Sequence, residues 1–234
     1  MKPTIVRQLS IRGLRNLQAV DLEPAETVNV VYGAAIAMVQ TDFKYVIGFS
    51  SVSHMGLVMI GFATLNRTGL MGAGMQMFSH GIMTALFFSV VGMVYDRAHT
   101  REINALGGLF KKMPWAAVGF IIAGLVSMGM PGFSGFVAEF PIFMGVWQVA
   151  PVVAIIAVLG VILTAAYIFR LVTRVFFGEI RPELDATVGD VTVKDKVAVG
   201  LLAAMMVGLG LFPSLMVPMV QSGVQHIMQL LGGA

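Results

Sequence analysis

The feature that most limits what this chain can fold into is a succession of apolar runs, covering residues 45–64, 70–95, 114–147, 151–177 and 197–219, with a shorter run at 28–39 ahead of them. About 20 apolar residues in a helix cross the ~30 Å hydrocarbon layer of a bilayer. Inside that layer only helices and closed barrels satisfy every peptide group. The composition points the same way: 57% of the 234 residues are hydrophobic, 12% are charged and the mean hydropathy is +0.87, whereas soluble domains are about 25% charged. A soluble enzyme is thereby excluded. The absence of cysteine also excludes a disulfide framework, thiolate zinc sites, iron–sulfur ligation and a thiol nucleophile. The chain reads as an all-α polytopic membrane protein, with a membrane domain at 28–234 of about five to six transmembrane helices. The run at 28–39 is too short to span comfortably without its flanks.

Residues 1–27 are of a different kind. They are polar, mixed in charge and alternate at Leu9 and Ile11 and again at Leu17, Val20 and Leu22, which predicts two short strands. Arg12 and Arg15 are followed by Asp21 and Glu23 rather than by an apolar core and a small-residue cleavage site, so no signal peptide is read here. At the other end, residues 220–231 fit a short interfacial extension. The run at 114–147 exceeds one straight crossing and carries Gly129-Met130-Pro131-Gly132 near its middle. That pattern predicts a broken helix.

Charge placement orients the chain. Antiparallel helices put Lys44, Arg97, Arg101, Lys111, Lys112, Arg170, Arg174, Arg181, Lys194 and Lys196 on one side and leave Arg67 on the other. The positive-inside rule makes the first side cytoplasmic and puts the C-terminus on the opposite side. The net charge of +3 and the pI near 9.4 thus record topology rather than nucleic-acid binding. Arg7, Arg12 and Arg15 break the rule if 28–39 crosses. Either that run does not cross or the head is foreign to this topology.

Of the twelve carboxylates, only Glu139 lies inside an apolar run. An ionised carboxylate at mid-membrane costs roughly 2.5–3.5 kcal/mol on insertion scales, and such residues usually face a polar cavity and have a task. Glu139 follows the break and stands near the positive end of the second half-helix, with Pro141 freeing the carbonyl of Val137 beside it. Burial raises its proton affinity while the dipole lowers it, which suits proton exchange; the alternative is a protonated structural Glu. His54 shares a face with Ser50 and Ser51, and Gln76, His80 and Thr84 form an i, i+4, i+8 stripe. Two facing polar stripes suit a hydrated seam, and imidazole exchanges protons near neutrality. The alternatives are simple interhelical hydrogen bonds or a His–His–Glu metal site, for which no close-spaced ligand pattern exists. Lys44 opens its helix about 15 Å before His54, so it is either a relay member acting through bridging water or a snorkelling interfacial cation.

The stretches TDFKYVIGFSSVSHMGLVMIGFAT, QMFSHG, YDRAHTREINALGGL and GMPGFSGFVAEF resemble the antiporter-like membrane subunits of respiratory NADH–quinone oxidoreductase (complex I), in the chain 4 or subunit M branch. The resemblance runs from Val28 to the C-terminus. It implies the second inverted five-helix repeat of that fold plus a final helix, with the first repeat and its acidic–lysine pair outside this sequence. It further implies that Glu139 exchanges protons, that His54 and His80 lie on the central axis, and that Lys44 is the basic residue opening the first of those two helices. The cofactors NADH, flavin, iron–sulfur clusters and quinone would sit on partner subunits, with none bound by this chain. The partners would be the other membrane subunits and the lipid of an energy-transducing membrane, with quinone reached only indirectly and no nucleic acid.

LSIRGLRNLQAVDLEP, continuing through AETVNVVYG to about residue 33, resembles the opening strands of RecF-type DNA-repair ATPases. There the chain would enter a phosphate loop; here Tyr32-Gly33 runs on into AAIAMVQTD, and no G-x-x-x-x-G-K-[ST] occurs, so no ATPase follows. A junction near YGA makes a fusion or mis-joined reading frame plausible. Two functions stand open at this point: a truncated proton-translocating subunit, and an inert membrane scaffold or non-functional fusion fragment.

Overall fold

The computed structural model describes residues 9–11, 20–22, 26–230 and 232. In the head, β1 (Leu9–Ile11) and β2 (Val20–Leu22) pair antiparallel, with Leu9 opposite Leu22 and Ile11 opposite Val20. The other regular elements among the described residues are helices, chiefly α1 (Glu26–Val39), α2 (Phe43–Ala63), α3 (Arg67–Ala98), α4 (Pro114–Ser127), α5 (Ser134–Val149), α6 (Pro151–Leu171), α7 (Pro182–Thr187), α8 (Val193–Leu211) and α9 (Val217–Leu230). Among the described residues, Phe43–Ala63, Arg67–Ala98 and Pro151–Phe176 are each long and apolar enough to cross a membrane alone. With 14 residues, α1 reaches only about 21 Å.

Local chemistry sets these boundaries. Asp42 caps α2 by accepting from the backbone N–H of Lys44 (2.8 Å) and Tyr45 (3.2 Å), so the helix starts ahead of the apolar run itself. Asn66 caps α3 in the same way through Gly69 (2.8 Å), and His99 ends it in the left-handed region at φ 50°. The broken helix is present as expected: α4 stops at Ser127, the backbone reverses at Gly129 (φ 63°) and Gly132 (φ 93°), and α5 resumes at Ser134. The end of α6 widens at Val172–Phe176, where the Phe177 N–H bonds five residues back to Val172, a single π-type turn.

The run at 197–219 is not one segment. Thr192 and Asp195 form a reciprocal capping box that starts α8 four residues earlier. Pro213, which cannot donate a backbone hydrogen bond, follows the end of α8 at Leu211. The chain turns through Pro213–Leu215 into α9. That helix takes the place of the expected extension at 220–231, beginning three residues earlier and packing Val217 and Val220 against Met75, Ala138 and Met216.

One end of the bundle collects the charge. Arg97 pairs with Asp195 (3.1 Å), Arg101 with Asp42 (3.3 Å), Lys112 with Asp185 (2.7 Å) and Lys196 with Asp190 (2.6 Å). Arg174 and Arg181 both donate to Asn104, and Arg170 donates to the carbonyl of Met38 at the end of α1. Arg67 opens α3 at the opposite end. Along α6, Ile155, Leu159, Ile162 and Phe169 face outward, an apolar exterior suited to lipid rather than water.

Candidate functional site

Helix packing brings the polar residues of four separate segments to one buried point. α3 and α5 approach so closely that a Cβ on Gly72 would sit 2.6 Å from the Ile142 nitrogen and 2.9 Å from the Ala138 carbonyl, and one on Gly145 would sit 2.4 Å from the Gly69 nitrogen. Small residues permit such contact between membrane helices. One turn along this contact, on α3, Gln76 faces Glu139 on α5.

Glu139, 2% exposed, accepts two hydrogen bonds on one oxygen. Nδ1 of His54 reaches Oε1 from α2 at 3.0 Å, and Nε2 of Gln76 reaches the same atom from α3 at 2.8 Å. The other nitrogen of His54 bonds Ser127 Oγ at 2.9 Å, at the last residue of α4 before the break. His54 therefore ties both halves of the broken helix together. His80 lies beside it, ring centroids 5.4 Å apart. Two enclosed atoms, Gln76 Oε1 and His80 Nδ1, have no hydrogen-bond partner. They lie one turn apart on α3, and an unmatched polar atom in such surroundings is costly.

Oε2 of Glu139 faces the break. A Cβ on Gly129 would lie 3.1 Å from it, and Glu139 with Met128, Gly129, Phe136, Phe140 and Val158 lines a cavity of about 190 Å³. Further polar links surround the cluster: Ser50 bonds Tyr167 on α6 at 2.7 Å, and Ser79 donates to Ser134 at 2.8 Å. When Glu139 is ionised, His54 Nδ1–H and the Gln76 amide donate to it.

Of the residues expected to act together, Glu139, His54 and His80 do meet. Lys44 does not join them: it is exposed in the first turn of α2. Between its end of the bundle and the cluster lie the buried rings of Phe43, Phe87, Phe120 and Phe176, with Phe120 4.9–5.2 Å from the other three. Thr84 also departs from the stripe, turning its hydroxyl back to the carbonyls of His80 and Gly81 on its own helix. Sequence reasoning missed Ser127 and Tyr167. The only hint of Ser127 was its place next to the Gly129 break, and of Tyr167 its isolation in an apolar run.

Residues 24–164 match the family described as NADH:quinone oxidoreductase/Mrp antiporter, TM. The chain belongs to this NADH:quinone oxidoreductase/Mrp antiporter family. Among curated relatives, NADH-quinone oxidoreductase subunit M of Rhodobacter capsulatus is 44% identical over 202 residues, covering 86% of this chain and 40% of the relative. Among solved structures, respiratory complex I from Thermus thermophilus with bound NADH superposes with a TM-score of 0.81 at 29% identity, covering 89% of this chain and 44% of that one. The Mrp complex from Dietzia sp. reaches 0.80 at 20% identity, a likeness of fold. The antiporter-family chain thus spans about two fifths of the length of the curated relatives it matches. Integration in a membrane follows from the family and the apolar helices alike.

Proposed function

We propose that this chain moves protons within a membrane-bound NADH–quinone oxidoreductase, with Glu139 taking up and releasing the proton and His54 and His80 passing it along the buried seam. One observation carries this reading: a carboxylate enclosed among apolar helices, bonded to an imidazole at 3.0 Å. Ionisable groups at that depth have a task by default, and a His–carboxylate pair exchanges a proton with little motion. The unpartnered Gln76 Oε1 and His80 Nδ1 suit water bridging along the seam. Lys44 supplies charge at the basic mouth, reached through water rather than by contact. Electrons flow elsewhere: NADH, flavin, iron–sulfur clusters and quinone belong to partner subunits, and this chain contributes coupling, not redox chemistry.

The basic end faces the cytoplasm and α9 lies on the opposite side, as the positive-inside rule requires. Residues 28–234 form the membrane domain, a second antiporter-like repeat with its final helix, of subunit M type, making five to six crossings. Residues 1–27 are a polar N-terminal segment whose sequence resembles the opening strands of RecF-type ATPases without their phosphate loop, whose last two residues open α1, and which takes no part in proton transfer. Replacing His54 by Ala in an assembled complex should lower the protons translocated per NADH oxidised while the subunit still assembles. An unchanged ratio would reduce the His54–Glu139 bond to a fastening between helices and favour the scaffold reading.

A further inference from the structure

We propose that Gln76 is a positioning residue that makes the two oxygens of Glu139 unequal, so that the protonated carboxyl carries its proton on Oε2, toward the break between α4 and α5. This rests on the proton-exchange reading above and assigns that exchange to one atom. Oε1 accepts from His54 Nδ1 at 3.0 Å and from Gln76 Nε2 at 2.8 Å. A carbonyl oxygen accepts N–H bonds better than the hydroxyl oxygen of a carboxyl, so with the His54 hydrogen on Nδ1 the two donors favour Oε1 as the carbonyl and leave the proton to Oε2. Oε2 has the opposite surroundings: Gly129, where an added Cβ would come within 3.1 Å, and a cavity lined by Met128, Phe136, Phe140 and Phe143.

The asymmetry is held by the backbone. Gln76 stands one turn beyond Gly72, where α3 meets the Ala138 carbonyl and the Ile142 nitrogen of α5, so the amide is carried to Oε1 by a close backbone contact between these two helices. Only its nitrogen can donate to a carboxylate, which fixes its orientation. With the proton on Oε2, both bonds to Oε1 persist in the ionised and protonated states. A proton handed from His54 Nδ1 to Oε1 only reverses that one bond and leaves Gln76 on the other lone pair, but a hydroxyl oxygen is the poorer acceptor for the amide. Gln76 therefore biases the resting proton toward the helix break rather than toward His54.

The test is the infrared carbonyl stretch of protonated Glu139, read in pH-difference spectra of the whole chain in lipid bilayers and assigned by its loss in Glu139→Gln. If the proton is on Oε2, the carbonyl is Oε1 and Gln76→Met removes one of its two donors. The band should then move to higher wavenumber, with Gln76→His, which keeps a donor, lying nearer the unmodified protein and Ser127→Ala leaving the band in place. A band unmoved in Gln76→Met overturns the assignment. No Glu139-dependent carboxyl band at any pH overturns the exchange reading instead. A second measurement uses the unmodified chain, should Gln76→Met fail to fold: solid-state NMR should show a cross-peak between the Gln76 side-chain nitrogen and the Glu139 carboxyl carbon, and its absence also overturns the proposal.

Discussion

Gly129 shows how narrowly the site is drawn at the scale of single residues. Its φ of 63° is one that a side chain resists by about 1–2 kcal/mol, and a methyl there would lie 3.1 Å from Glu139 Oε2. Gly129→Ala should lower stability by about 1–2 kcal/mol, read as a drop in thermal midpoint in detergent; a midpoint equal to the unmodified protein's would contradict the reversal of the chain at this residue. Glu139, His54 and His80 were legible in the sequence because ionisable groups stand out against apolar runs. The convergence of His54 and Gln76 on one oxygen was not, since it depends on the packing of α2, α3 and α5 and leaves no mark in any single helix. Ser127 was invisible for the same reason: hydroxyls are common in membrane helices, and only the position of His54 gives this one a partner. Lys44 shows the converse, a residue that family likeness singles out and the fold leaves at the surface.

At the scale of elements, the α3–α5 contact and the charged end respond to different perturbations. A Cβ on Gly145 would press to 2.4 Å from the Gly69 backbone, which no rotamer change can relieve. Gly145→Ala should therefore destabilise by about 1–3 kcal/mol, and adding Gly72→Ala should cost less than the sum, because both changes part the same two helices; strict additivity in thermal unfolding would contradict a shared interface. At the charged end, the hydrogen bond from Lys196 holds the Asp190 carboxyl below its ordinary 3.8, and the Thr192 cap does the same for Asp195. Because folding depresses both values, their contribution is fully present above about pH 4 and is lost as the pH falls through the lower folded-state values. Below pH 4 the unmodified protein should lose thermal stability more steeply than Asp195→Asn; equal slopes would remove the cap from the account. The helix start at Val193 escaped the hydropathy pattern because a capping box, not an apolar residue, defines it. The Gly–Met–Pro–Gly break was readable in advance because its residues are themselves the cause.

The described residues combine an apolar exterior along α6, a charged end and an enclosed polar cluster where the broken helix meets α2 and α3. The order of the long helices was largely legible, since each writes its own run of apolar residues, though the last run holds two helices rather than one. Which helices touch was not, and the site exists only through those contacts. The chain belongs to its family and spans about two fifths of its curated relatives' length, and its polar cluster either conducts or merely fastens. The most direct test of the central claim is Glu139→Gln in an assembled NADH–quinone oxidoreductase reconstituted in vesicles, with NADH oxidation and acidification recorded together. The account predicts fewer protons translocated per NADH oxidised, with the subunit present at normal levels. An unaltered ratio would contradict it.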